Sequence, residues 1–124
     1  MANILIVDDQ RIQRVVLEAT LRHGSHTIFQ ADNGTNALIE YNKNQIDIVI
    51  TDVLMPDMNG IELCFKIREI NPDAKIIVIS GGGVKTQGAA DEYLKLGEKS
   101  GALKTFVKPV DPQDLLQTIQ ELID

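Results

Sequence analysis

The chain has 124 residues, 44 % apolar and 24 % charged, a size and balance that suit one globular domain with a single core. Its formal net charge of −6 and pI near 4.8 argue against binding nucleic acid or an anionic membrane through a basic surface. A lone cysteine, Cys64, cannot close an intramolecular disulfide and fits a reducing compartment, and no apolar run approaches the length of a membrane span.

The first element is the apolar run "NILIV" (3–7), which ends at once in Asp8 and Asp9 and is too short for a secretory signal. A helix is expected from about Arg11 to His23, stopped by Gly24. The more polar run "HTIFQ" (26–30) suits an edge strand. A second helix follows Asn33-Gly34-Thr35. "DIVIT" (47–51) reads as a strand, and a third helix spans about Gly60 to Ile70, halting before Asn71-Pro72. "KIIVI" (75–79) is a further strand, followed by the glycine-rich stretch "SGGGVKTQG" (80–88), a fourth helix near 91–100 and the short strand "TFV" (105–107). The last helix opens with Asp111 as N-cap and Pro112 at its first position.

Four of the five strands are continuous runs rich in Ile and Val rather than alternating ones, as expected of a parallel sheet covered on both faces. Strand and helix alternate five times along residues 1–124, which predicts one α/β domain, a doubly wound (βα)5 three-layer sandwich. In such sheets ligands bind beyond the carboxyl ends of the strands. Asp8 and Asp9 follow the first strand, Asp52 the third in sequence, Ser80 the fourth and Lys108 the fifth. These residues are therefore expected along one edge. Three carboxylates in one pocket need a hard cation, and Mg²⁺ suits few carboxylates completed by water and phosphate oxygens. Lys108 supplies a compact positive charge, and the Ser80 hydroxyl a donor. Together they describe a carboxylate, Asp52, that accepts a phosphoryl group.

The segments "IVDD", "TDVLMPDMNG", "VISGGG" and "FVKPVD", in this order and spacing, resemble the receiver domain of two-component response regulators over essentially all of residues 3–123. The resemblance implies a flavodoxin-like sheet of order 2-1-3-4-5 and Asp52 as the phosphoacceptor. It implies Mg²⁺, with Mn²⁺ as an alternative, bound directly by Asp9, Asp52 and the Leu54 backbone carbonyl, with Asp8 acting through water. Ser80 and Lys108 would hold the phosphoryl group, and Lys108-Pro109 would be a cis peptide. Implied partners are a histidine kinase or histidine phosphotransfer protein and a downstream protein target, in the bacterial cytoplasm, without direct nucleic-acid contact or membrane insertion. The expected state is a monomer when unphosphorylated, with dimerisation on phosphorylation left open.

Two features depart from the family pattern. Receivers usually carry Tyr or Phe three positions before the lysine, and here that residue is Thr105. Phe106 comes one residue later, so strand alternation turns it to the opposite face and into the core. The glycine-rich stretch after Ser80 reads either as an insertion or as a segment that moves in place of the aromatic. Leu54 and Gly82, two positions after the phosphoacceptor and two after the serine, would border the path of an attacking water.

Other residues have plainer readings. Cys64 reads as a core hydrophobe, His23 and His26 as surface residues, and Tyr41 and Tyr93 as packing residues. Asp32 reads as turn chemistry, and Asp57 and Asn59 as shaping a turn and capping the third helix. The first helix has apolar residues on two neighbouring stripes. By the pattern alone both could be buried. The resemblance to receivers, which present this helix to the histidine kinase or phosphotransfer domain, implies Leu17 and Leu21 inside, with Ile12, Gln13 and Val16 near the partner surface.

The resulting expectation is a single-domain response regulator, since the chain stops soon after the last helix with no helix-turn-helix. The alternative is a receiver module from a multidomain DNA-binding or enzymatic regulator. A hydrolase with an aspartyl-phosphate intermediate would need a second Asp two positions after the nucleophile, where Leu54 stands. Enzymatic activity is thus expected only as Mg-dependent self-phosphorylation and autodephosphorylation.

Overall fold

Alternate residues of the same apolar strands feed two separate cores, one on each face of a parallel sheet. The computed structural model describes residues 1–81 and 104–124. The described elements are β1 (Asn3–Val7), α1 (Arg11–Leu21), β2 (Thr27–Ala31), α2 (Gly34–Lys43), β3 (Ile48–Asp52), α3 (Gly60–Ile70), β4 (Lys75–Ser80), β5 (Lys104–Val107) and α4 (Pro112–Ile123). The helix expected near 91–100, with Tyr93, and the glycine-rich stretch beyond Gly81 lie outside the described residues.

The five strands are parallel in the order β2-β1-β3-β4-β5. Ile4, Ile6, Ile48, Ile50, Ile77 and Ile79 point to one face, where Leu21 of α1 and Leu115 and Ile119 of α4 cover them. Leu5, Val7, Val49, Ile76 and Val78 point to the other, against Ala37 of α2 and Ile61, Leu63, Cys64 and Ile67 of α3. A side-chain period of two explains how uninterrupted apolar runs serve both layers. Each fully buried Ile or Leu contributes roughly 1.5–3 kcal/mol of transfer free energy, and at least twelve large side chains are fully buried. The two cores cover both faces of the sheet that carries the polar residues at its strand ends.

The helix starts follow local chemistry. Asn33 caps α2 by accepting from the Asn36 amide, and Asn59 caps α3 by accepting from Glu62. Asp111 caps α4 by accepting from Gln113 and Asp114, with Pro112 at the first position, as the sequence predicts. Asp57 does not cap α3; its carboxylate accepts from the Thr35 hydroxyl, 3.3 Å away, at the start of α2. α1 ends at Leu21 and a one-turn 3-10 helix carries the chain to Gly24, two residues short of the expected end. His26 is half-buried rather than a free surface residue, because its Nδ1 accepts from the Ala2 amide at 3.1 Å. Tyr41 packs on the α2–α3 core and accepts from Asn71. No described helix is long and apolar enough to cross a membrane.

Candidate functional site

The polar residues gather where β1, β3, β4 and β5 end. Asp8 directly follows β1, Asp52 is the last residue of β3, Ser80 the last of β4, and Lys108 follows β5. β3 and β4 each run one residue further than the hydrophobic pattern suggests, so Asp52 and Ser80 still belong to the sheet ladder. Strand pairing sets their backbones. The Asp8 amide donates to the Ala31 carbonyl, and the Lys108 amide donates to the Ser80 carbonyl at 2.8 Å. The Lys108–Pro109 peptide is cis.

The side chains converge as well. Asp8, Asp9 and Asp52 each place a carboxylate oxygen within 4.8 Å of the other two. Lys108 Nζ lies 3.4 Å from Asp52 Oδ2 and 3.8 Å from Asp8 Oδ2. The other oxygen of Asp52 accepts from the Val53 amide at 2.9 Å, and Asp8 Oδ1 accepts from the Gln10 amide at the same distance. Asp52 is thus gripped on both oxygens, one by the main chain and one by a cation.

Burial sets the electrostatics. Asp8 is buried, Asp52 half-buried and Asp9 exposed. Burial pushes the Asp8 carboxyl above the ordinary carboxylate range, the Gln10 amide pulls it back, and the Asp52 charge pushes it up again. Burial likewise raises Asp52, against the pull of Lys108. Three carboxylates and one ammonium leave negative charge in excess at a half-buried spot. Hard oxygen donors at this spacing suit a small divalent cation.

A cleft of about 500 Å³ runs from these residues between α1 and the start of α4. Asp8, Asp52 and Lys108 form its polar end, and Gln13, Leu17 and Val110 are among the residues of its walls. Ile12 and Val16 on α1 are 76 % and 56 % exposed, and Val15 beside them is exposed too. Leu21 is buried and Leu17 packs partly buried against the same core, as the resemblance to receivers implies. Leu54 is 55 % exposed in the loop after β3. Thr105 pairs with Val78, and Phe106 pairs with Ile79 and, partly buried, packs against the α1–α4 core.

The family model for the response regulator receiver domain matches residues 4–120. The chain belongs to this family. It is 34 % identical to the chemotaxis protein CheY of Thermotoga maritima over 96 % of its own length and 95 % of that protein's. It is 33 % identical to the DNA-binding transcriptional regulator NtrC of Azospirillum brasilense, of which it spans 24 %. Among solved structures, the CheX–CheY–BeF3–Mg²⁺ complex from Borrelia burgdorferi contains a chain with TM-score 0.87 and 31 % identity, covering 99 % of this chain and 90 % of that one.

Within this receiver domain, sequence reasoning finds the acids, the serine and the lysine but misses how closely the start of α3 approaches the site. A Cβ at Gly60 would collide with the main-chain carbonyl of Asp52, and the Gly60 amide donates to Val53 O at 2.8 Å. The "MNG" turn marks a helix start; nothing in it says what the helix start rests on. The cleft was equally invisible. Its only trace in the sequence is the surplus of apolar residues on α1.

Proposed function

We propose that Asp52 of this receiver domain accepts a phosphoryl group from a phosphohistidine on a histidine kinase or histidine phosphotransfer protein. The observation that carries this reading is the 3.4 Å approach of Lys108 Nζ to Asp52 Oδ2 beside two further carboxylates at the sheet edge. A carboxylate oxygen of Asp52 attacks phosphorus, the phosphorus–nitrogen bond of the donor breaks, and the imidazole nitrogen leaves with the bonding electrons. Lys108 then pairs with a transferred oxygen, and the Ser80 hydroxyl donates to another. The protein contributes position and charge, since little other chemistry is needed for this transfer.

Asp9, Asp52 and the Leu54 carbonyl would hold Mg²⁺, or Mn²⁺ in its place, with Asp8 acting through water. Bound there, the ion would offset the negative charge of the transferred oxygens. The hard-oxygen donor set of this chain supports that assignment. So does the similar chain in the Borrelia burgdorferi CheX–CheY–BeF3–Mg²⁺ complex.

Ile12, Gln13 and Val16 would meet the phosphodonor, and the phosphorylated surface would then signal by contact with a downstream protein. The exposure of Ile12 and Val16, and the place of Gln13 and Val16 in the wall of the cleft, support this. The chain's single cysteine, Cys64, which can close no intramolecular disulfide, and the exchange with a kinase support a cytoplasmic location. We take the unphosphorylated protein as monomeric; light scattering with and without phosphodonor tests for dimers.

Incubation with acetyl phosphate and Mg²⁺, followed by intact-mass spectrometry, tests the central claim. One phosphoryl adduct is expected on the wild type and none on Asp52→Asn. Equal labelling of both would overturn the assignment. A second reading, a receiver module within a larger regulator, is favoured by the match to a quarter of the NtrC protein. A reading frame continuing past Asp124 into a DNA-binding or enzymatic domain would establish it.

A further inference from the structure

Arg14 stands on α1, away from the acids' side chains, yet it grips the main chain between them. Its Nη1 donates to the carbonyl oxygen of Asp8 at 2.6 Å, and its Nε donates to Gln30 Oε1 at 3.2 Å. Gln30, on the edge strand β2, is itself held, because its Nε2 donates to Glu18 Oε2 at 2.8 Å. The chain Glu18–Gln30–Arg14 orients the guanidinium, with its fork divided between a side-chain amide and a backbone carbonyl. On the other side of Asp8, its amide donates to Ala31 on the same edge strand.

The Asp8 carbonyl belongs to the planar peptide unit that joins Asp8 to Asp9. Turning that plane about the Asp8 Cα–C bond moves the Asp9 Cα and swings its carboxylate, which is exposed. Asp8 is fixed separately, by burial and by the Gln10 amide on Oδ1. Asp9 is thus the member of the cluster whose place depends most on the peptide.

We propose that Arg14 is a positioning residue for the acidic cluster: it locks the Asp8–Asp9 peptide and so holds the Asp9 carboxylate in reach of Asp52 for a shared divalent cation. This rests on the reading of Asp9 and Asp52 as metal ligands given above. Charge and position make opposite demands here, which makes the idea decidable. Removing a cation from beside the site should, by Coulomb's law alone, tighten Mg²⁺ binding. Removing a brace should weaken it.

The experiment is an Mg²⁺ titration of the full chain followed by backbone amide NMR, on the wild type, Arg14→Ala, Arg14→Lys, Gln30→Ala and Asp9→Asn. Metal-free thermal unfolding of each variant reports structural damage. Arg14→Ala is expected to weaken Mg²⁺ binding about tenfold, in the range found for residues that orient metal ligands. It should also shift the metal-free amides of Asp9 and Gln10. Arg14→Lys keeps a cationic donor for the Asp8 carbonyl but not the fork, and should fall between the two. Gln30→Ala leaves all charges unchanged and should weaken binding in the same direction by less. If Arg14→Ala does not fold, the lysine and Gln30 variants decide. Unchanged or tighter binding in the folded variants, with the expected loss in Asp9→Asn, overturns this inference alone. A wild type that does not bind Mg²⁺, or an Asp9→Asn that binds like it, overturns the ligand assignment on which it rests.

Discussion

Gly60 sits against the main-chain carbonyl of Asp52, with no room for a methyl group between them. The N-terminus of α3 is thereby seated on the backbone of the residue assigned as phosphoacceptor. Gly60→Ala must push the helix or the strand end away. It is expected to destabilise the fold by roughly 1–3 kcal/mol, the usual cost of overpacking, and to slow Asp52 labelling by acetyl phosphate. Thermal unfolding and the labelling rate check both. An alanine variant as stable and as quickly labelled as the wild type would show that the contact relaxes freely.

Asp8 should limit stability in metal-free solution. Burial raises its folded-state pKa above the ordinary 3.8, so the protonated form is favoured by folding. Its contribution is fully present below that ordinary value and is lost as pH rises through the raised folded value. At neutral pH the ionised, buried carboxylate is a cost. Asp8→Asn keeps an oxygen for the Gln10 amide, so the variant should melt several degrees higher than the wild type at pH 7 in a chelator, with the advantage shrinking toward acid pH. Added Mg²⁺ should narrow the gap by stabilising the wild type more. A variant that melts lower at pH 7 would mean that the loss of the Lys108 ion pair dominates.

Lys108→Ala should preserve the fold, because the Lys108 amide, not its side chain, holds the Ser80 carbonyl. Mg²⁺ binding should also survive, since the carboxylates remain. What is expected to disappear is the spread of amide shifts from Asp52 to Gly81, Val107 and Val110 on treatment with acetyl phosphate. Wild-type-like shifts at those three positions would show that another group links the phosphoryl oxygens to β5.

The phosphoryl group on Asp52 should be long-lived. Leu54 is exposed after β3 and has no side-chain donor or acceptor with which to orient an attacking water. Leu54→Asn, and more so with Gly82→Glu, is expected to shorten the lifetime several-fold by positioning that water. The decay of the intact-mass adduct measures it. Equal decay in the wild type and the double variant would mean that water reaches the phosphorus without help from either position.

Much of this was legible in the residues themselves. Strand runs such as "KIIVI" show by their unbroken Ile and Val content that they are buried on both faces, and Asp111-Pro112 marks a helix start by local hydrogen bonding and a fixed φ. Once the sheet is parallel, Asp8, Asp52, Ser80 and Lys108 must share an edge, because each follows or ends a strand pointing the same way. Alternation alone turns Phe106 toward the core side, and it packs there partly buried, paired with Ile79.

Contacts between residues distant in sequence were another matter. Periodicity on α1 could not say that Val15 and Val16 stay exposed while Leu17 turns inward, because that depends on where α4 packs. Nothing near Arg14 announces that its partners are Gln30, on the edge strand β2, and the backbone of Asp8. Gly60 looks like an ordinary helix start until Asp52 is found beneath it. Local sequence determines backbone propensity and the side on which a residue falls, since both arise from neighbours one to four positions away. Which groups meet across the sheet edge is decided by the packing of whole elements, and the spacing of charges in the Asp8–Asp9–Asp52–Lys108 cluster exists only once those elements are in place.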